Sequence, residues 1–446
     1  MRFRSRNFRS LKEEQELSLV ASSLKDSPEA VTHVEGLDLG LVRVAAIYGA
    51  NASGKSNVIK ALAYMSSAVQ NSQRQWAPEG PIPREPFLLD PQAKLDPSSF
   101  EVDLLLDGVR FHYGFTLNDR EILKEWLDAY PTGSKPVRKQ MWFKREARTF
   151  TFGKKLVGDN SAIERLTRPN SLFLSAAAQN NHETLLPVYK WFAERFGYVH
   201  RERGPAIYNT AVMCMDAGFK SWVSQALRSA DMGIVELLVR EENLPVASPA
   251  PGLSKKQKVL AEEFSRAMRR FAEKVKQQLS DELSLPEKML TVSLIHKGSS
   301  RVAVPFGLEN ESDGTVAFYG LLGPLVHFVS SGGTLCVDEL DASLHPLLAL
   351  GILNYFRNPK LNPRGAQIIF TTHDTNILDR ASLRRDQIWF TEKDAEGGTH
   401  LYPLTDFKPR KNENLERGYL QGRYGAVPFI GSPDFLGNPS QNKAEH

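Results

Sequence analysis

Leu41-Val42-Arg43-Val44-Ala45-Ala46-Ile47-Tyr48, followed at once by Gly49-Ala50-Asn51-Ala52-Ser53-Gly54-Lys55-Ser56, is the stretch that decides how this chain folds. The first eight residues are an apolar run ending at a glycine, which reads as a buried strand. The next eight match G-x-x-x-x-G-K-[ST]. Val58, Ile59, Leu62 and Met65 then recur at helical spacing on one face. A strand, a glycine-rich turn and a helix start, in that order, make a cradle for phosphate. Glycines stand where a Cβ would collide with the anion, and successive N–H groups and the helix N-terminus point at it. Gly49, Asn51, Ser53 and Gly54 line such a loop, Lys55 bridges the β- and γ-phosphates, and the Ser56 hydroxyl offers a position to Mg²⁺. The bland alternative is an ordinary glycine turn before a helix; the agreement of motif and context argues against it.

Three later stretches carry chemistry that suits this loop. Leu335-Cys336-Val337-Asp338-Glu339 is an apolar run ending in two carboxylates. At a strand end Asp338 reaches Mg²⁺ through water, and Glu339 polarises an attacking water as general base. A solvated acidic loop after a core strand is the competing reading. Gln367-Ile368-Ile369-Phe370-Thr371-Thr372-His373-Asp374 is a second apolar strand with a histidine just beyond it. Ligands of open α/β sheets bind at the carboxyl ends of strands, which places His373 within reach of a γ-phosphate, unless it is simply a surface histidine. Glu311-Ser312-Asp313-Gly314-Thr315 precedes an apolar helix; alone it is a plain N-cap, and its serine and glycine also form an anion-binding nest.

Working outward, residues 3–9 and 17–20 read as a hairpin, 76–97 as a proline-rich loop, and 100–117 as antiparallel strands turning at Asp107-Gly108. Strands are expected near 140–143 and 149–152, helix over 183–230, and strands at 234–239 and 291–295. Residues 243–252 read as a linker into a long amphipathic helix with Leu260, Phe264, Met268, Phe271, Val275 and Leu279 on one stripe, an arm of roughly 40 Å. Strands at 334–337 and 367–371 with a helix between them have the rhythm of a parallel α/β sheet. The chain has 446 residues, enough for two or three units, with 41% hydrophobic and 24% charged residues, an ordinary soluble balance. We expect a lobe over 1–180 with the phosphate loop and an antiparallel sheet. A helical insertion over 181–290, a second lobe over 291–405 with the remaining motifs, and a tail over 406–446 follow it. Two isolated cysteines exclude a zinc hook or disulfide framework. The N-terminus lacks a secretory apolar stretch, and no apolar run long enough to span a bilayer stands out, so a cytoplasmic protein without a membrane is expected. The net charge of +4 permits nucleic-acid contact without arguing for it.

Phosphate loop, signature, acidic strand end and histidine occur in ABC order. Asn7-Phe8-Arg9-Ser10 resembles the first strand of ATPases in the RecF, SMC and OLD branches. Leu344-His345-Pro346, Thr371-Thr372-His373-Asp374, residues 384–390 and Tyr419-Leu420-Gln421-Gly422-Arg423-Tyr424-Gly425 narrow the resemblance. Together they resemble the AAA/ABC ATPases of bacterial anti-phage and abortive-infection systems, of the AbiL/RloA, AriA (PARIS) and PtuA (Septu) types. The fold class this implies is α/β, an ABC-type (SMC/RecF/OLD-like) ATPase head with mixed and parallel sheets and a helical arm. The resemblance implies ATP and Mg²⁺, and a head-to-head dimer with each ATP between one subunit's phosphate loop and the signature residues Ser312 and Gly314 of the other. It also implies Asn51 near the γ-phosphate, Gln179 of residues 173–179 as the Q-loop glutamine beside Mg²⁺, and Arg9 touching the nucleotide. This sequence departs from the pattern at Ala52, where glycine is common, at Glu311 and Thr315 in the signature, and at His345, where aspartate is usual.

The function so implied is ATP binding and hydrolysis in a sensor or scaffold of a defence system, controlling a separate toxin or nuclease effector encoded beside it. A DNA-clamping repair or chromosome ATPase is a different class, and an OLD-type ATPase with its own nuclease is a third. About fifty-five residues follow Phe390, few for an added nuclease domain. The basic, aromatic stretch over 135–145 reads as a solvated hairpin, with DNA or a phage component as its alternative partner. Arg2, Arg4 and Arg6 share one strand face.

Overall fold

The computed structural model describes residues 1–34, 36, 39–133, 136–200, 202–230, 232–243, 288–298, 303–380, 383–410 and 413–427. Of the expected linker only Asn243 is described, and the rest of it and the stripe from Leu260 to Leu279 lie outside the described residues. The chain divides into two compact units, one of residues 1–202 with 324–446 and one of residues 203–323.

The first unit holds two large sheets. Strands β1 (Arg2–Arg6), β2 (Gln15–Ser18), β6 (Ser98–Leu106), β7 (Val109–Leu117), β8 (Ile122–Pro131), β9 (Gln140–Glu146) and β10 (Thr149–Phe152) form an antiparallel sheet in the order β10-β9-β8-β7-β6-β1-β2. β6 buries every second residue, the signature of a sheet with one face on the core. β6 and β7 turn at Asp107 and Gly108, with φ of 47° and 75°, the two positive values that a two-residue type I′ turn requires. The exposed side of β1 carries the three arginines, and acidic neighbours meet them: Arg2 with Asp103 at 2.7 Å and Arg4 with Glu16 at 2.5 Å.

The second sheet runs β11 (Phe196–Val199), β15 (Thr334–Val337), β16 (Gln367–Thr371), β5 (Val44–Gly49), β17 (Ile388–Lys393), β18 (Thr399–Pro403). All neighbours are parallel except β17 and β18. β5, β15 and β16 are buried at every position, which is why they read as unbroken apolar runs. The helix Lys55–Asn71 packs against both sheets, so Ala61 and Ala68 are buried along with Val58, Ile59, Leu62 and Met65. It therefore buries more than the single face its periodicity suggests. One core cluster joins Phe3, Phe100 and Phe115 of the first sheet, this helix, and Ile47, Cys336 and Ile369 of the second.

Three expectations change. The run 41–48 is broken at Arg43 into β4 (Gly40–Val42), which pairs with β3 (Val31–His33), and β5. Arg43 donates to Thr32 Oγ1 at 2.9 Å and to the Arg357 carbonyl at 3.1 Å, bonds that hold the break. Within the expected helical stretch 183–230, residues 196–199 are the edge strand β11. Pairing with β15 and packing of Gly197 against Phe328, where a Cβ would lie 2.2 Å from the ring, override local propensity. Among the described residues the helix Asp313–Ser331 meets the length and mean hydropathy of a bilayer span, where no such run is expected from the sequence; 61% of that stretch is buried inside the protein.

The second unit is an antiparallel sheet of β12 (Ile234–Asn243), β13 (Lys288–Lys297) and β14 (Ala303–Gly307), with helices Gly204–Met213 and Ala217–Ser229 beside it. Val223, Leu227, Leu237 and Leu294 are its buried residues of note. The α/β expectation, with parallel and antiparallel sheets, matches the whole.

Candidate functional site

β5, β15, β16 and β17 all deliver their C-terminal ends to one edge of the parallel sheet. Their register pairs Ile47 with Thr371 and Gly49 with Thr391. Gly54 is the N-cap of the helix Lys55–Asn71 at φ 108°, and a Cβ there would lie 2.1 Å from Thr399 Oγ1. Glycine is needed at that position for both reasons. The loop is latched from behind: Ser53 Oγ and Thr391 Oγ1 share a bond of 2.6 Å, and Thr399 Oγ1 donates to the Ser53 carbonyl at 2.8 Å. Asn57 Nδ2 donates to Ser10 Oγ at 2.7 Å, which ties the helix's first turn to the loop after β1. Asn51 and Ala52 are exposed at the tip, Ala52 in the left-handed region at φ 63°.

The Lys55 ammonium sits within the turn, donating to the Gly49 carbonyl at 2.9 Å and the Ala50 carbonyl at 3.0 Å. Lys55 is only 6% exposed. Burial lowers its pKa to about 8, while Glu339, Asp338 and Asp341 pull the other way. Ser56 Oγ donates to Asp338 Oδ1 at 2.8 Å, and Thr371 Oγ1 donates to the same oxygen at 2.7 Å. The Glu339 N–H donates to Thr371 Oγ1 at 2.7 Å, and Glu339 itself holds a left-handed φ of 52°. One threonine thus orients both carboxylate residues. His373 is exposed, and its N–H donates to Asp341 Oδ2 at 3.2 Å.

The sequence-derived set is therefore brought together in part. Residues 49–56, Asp338, Glu339 and His373 share one sheet edge. Gln179 is the exposed last residue of the helix Phe173–Gln179, and the Ser56 hydroxyl and Asp338 carboxylate bond each other and Thr371 rather than Gln179. Arg9 adjoins Ser10 but its guanidinium pairs with Glu85 at 2.7 Å. Ser312 and Gly314 belong to the second unit. There Ser312 Oγ accepts the Thr315 N–H at 3.2 Å, so the serine caps the helix Asp313–Ser331. Ser10, Asn57, Thr371, Thr391 and Thr399 were given no role by sequence reasoning. Thr371 alone had a local signal, standing last in an apolar strand beside the histidine.

A family model described as "AAA domain, putative AbiEii toxin, Type IV TA system" matches residues 44–379. The chain belongs to this AAA family. No curated protein matches it. Among solved structures, the AAA chain is similar to an SMC head bound to the C-winged helix domain of ScpA. Identity is 12% over 90% of this chain and 96% of that one, with a TM-score of 0.37. It is also similar to the recombination mediator protein RecF with ATP, at 14% identity over 85% and 94% of the two chains and a TM-score of 0.30.

Proposed function

We propose that this AAA protein binds and hydrolyses ATP with Mg²⁺ at the edge where residues 49–56 meet Asp338 and Glu339. The observation that carries the reading is the 2.8 Å bond from Ser56 Oγ to Asp338 Oδ1. It joins a phosphate loop to a carboxylate some 280 residues away, and both atoms are hard oxygen donors of the kind Mg²⁺ takes while keeping its own waters. When bound, the ion neutralises phosphate charge. Lys55 moves from the loop carbonyls onto the β/γ-phosphates, and the N–H groups at the start of the helix Lys55–Asn71 bind the same anion. Glu339, held by Thr371, accepts a proton from the attacking water, and His373 hydrogen-bonds the γ-phosphate. Ser312 and Gly314 serve the ATP of a second copy, as in an ABC-type dimer.

The biological role that fits is a defence ATPase whose nucleotide state governs a separate toxin or nuclease effector. The sequence resemblance and the toxin–antitoxin wording of the family description support it. Isothermal titration of folded Lys55→Ala with Mg·ATP tests the site: binding is lost, and unchanged affinity refutes the assignment. A pull-down from the native host tests the partner. Purified protein that cleaves DNA or tRNA unaided overturns the effector reading.

A further inference from the structure

The loop carrying His373 is fixed by more than the strand that delivers it. The Thr372 N–H donates to the Ile47 carbonyl at 3.2 Å, the His373 N–H to Asp341 at 3.2 Å, and Tyr48 Oη to the Asp374 carbonyl at 3.3 Å. These partners belong to the strand, loop and carboxylate set of the site. The next bond does not. Thr375 Oγ1 donates to Glu416 Oε1 at 2.7 Å, and Glu416 lies on the short helix Leu415–Leu420 near the end of the described chain. That helix opens the segment whose Tyr419-to-Gly425 pattern the proposed function leaves without a task.

The helix is seated on the sheet edge itself. Tyr419 is 6% exposed. Its ring stacks on Phe390 of β17 at 5.4 Å and 15°, and meets Tyr48 of β5 edge-on at 5.9 Å and 61°. Tyr424 stacks on Phe390 at 5.8 Å, and its hydroxyl donates to Glu413 at 2.8 Å. Tyr419 Oη donates to the Ala426 carbonyl at 3.1 Å, closing the turn after the helix. Aromatic pairs of this geometry are worth about 0.5–1.5 kcal/mol each beyond their burial, so the seat is firm. A half-buried carboxylate is thereby presented, on a rigid seat, to a threonine two residues past the histidine.

We infer that Glu416 is a positioning residue for His373, holding Thr375 so that the histidine is presented to the γ-phosphate. The inference rests on the ATPase reading above. A charge-assisted bond of 2.7 Å fixes the loop more tightly than a neutral one. Losing it lets the loop shift, and a misplacement of about 1 Å costs up to about 100-fold in rate. A merely structural bond would change stability and leave turnover alone.

The test is steady-state ATPase kinetics of the full chain and of Thr375→Val, Glu416→Ala, Glu416→Gln and the double variant Thr375→Val/Glu416→Ala. Each single loss should lower kcat about tenfold, with KM for Mg·ATP within about twofold of the parent and the thermal midpoint lowered by no more than a few degrees. The double variant should be no slower than either single one, because both remove the same bond. Glu416→Gln keeps an acceptor oxygen and should retain most activity. Parental kcat in Glu416→Ala and Thr375→Val, or losses that multiply in the double variant, overturns the inference and leaves the ATPase reading standing. A parent with no hydrolysis that depends on Lys55 overturns both.

Discussion

Lys55 offers a quantitative probe of the site through its proton. In the free protein its pKa is lowered from 10.5 to about 8, chiefly by burial. Phosphate oxygens around the ammonium remove that penalty, so binding Mg·ATP should hold the proton well above pH 8. The free lysine is mostly charged at pH 7 and about 3% charged at pH 9.5. Binding that requires the ammonium should weaken by about 30-fold over that range, about 2 kcal/mol. Near pH 8 each ATP bound should take up about half a proton, and near pH 9 about 0.9. The γ-phosphate loses its last proton near pH 6, so it adds little above pH 8. The assay is isothermal titration of the unaltered protein with Mg²⁺ and a non-hydrolysable ATP analogue, in two buffers of different ionisation heat at several pH values, so that Glu339 keeps its charge beside Lys55. The sign in the absence of nucleotide is the reverse of a paired lysine. A lysine whose folded pKa is depressed costs stability below about pH 8, and the cost disappears as pH rises toward 10.5. A Kd that is flat from pH 7 to 9.5, with no buffer-dependent heat, refutes the burial argument for Lys55.

Gly54→Ala should abolish Mg·ATP binding while circular dichroism stays native, because φ 108° and the 2.1 Å approach to Thr399 force the loop open; retained affinity counts against the latch. Arg145→Met should destabilise the first unit by about 3–5 kcal/mol in a urea melt, since it leaves the fully buried Glu125 carboxylate, 3.8 Å away, without a counter-charge. A shift under about 1 kcal/mol argues that the Phe173 and Leu174 N–H groups, which donate to Glu125 at 2.6 and 3.0 Å, suffice. Mixing Lys55→Ala with Ser312→Arg should restore part of the phosphate release each lacks alone, because a heterodimer keeps one good site. No recovery, with subunit exchange demonstrated, rejects the shared site.

Much of the fold was legible because its signals are local. The hairpin at Asp107-Gly108 needs only two residues tolerant of positive φ, and β5, β15 and β16 announce themselves as short apolar runs buried on both faces. The phosphate loop is legible for the same reason, its glycines and lysine lying within eight residues. What escaped is non-local. β11 is four residues whose strand conformation comes from pairing with β15, about 140 positions later. The latch of Ser53 with Thr391 and Thr399 joins residues 338 and 346 positions apart, and threonine at a strand end looks like any other. Arg9 and Gln179 rested on resemblance, and the geometry gives each a different neighbour: Glu85 for the first, solvent for the second.

The same geometry weighs the DNA-clamping alternative. Phosphate binding draws its free energy largely from lysines and arginines that release counterions. Most of the basic residues in the two stretches meet carboxylates or carbonyls of the chain itself, whereas Arg138 is exposed. Arg2 and Arg4 meet Asp103 and Glu16 on the face of β1, with Arg6 4.0 Å from Glu13. In the stretch over 135–145, Lys139 pairs with Asp128 at 2.7 Å and Lys144 with Glu146 at 2.7 Å. Arg145 is 1% exposed and donates to the Ala147 and Ser171 carbonyls. Exposed pairs of this kind add little stability, about 0–1 kcal/mol, yet each brings a carboxylate that a DNA phosphate would have to displace. A DNA phosphate at either patch would therefore compete with these carboxylates. The Thr375–Glu416 bond links the His373 loop to the helix Leu415–Leu420, so the kinetics of Thr375→Val and Glu416→Ala bear on either reading of the partner.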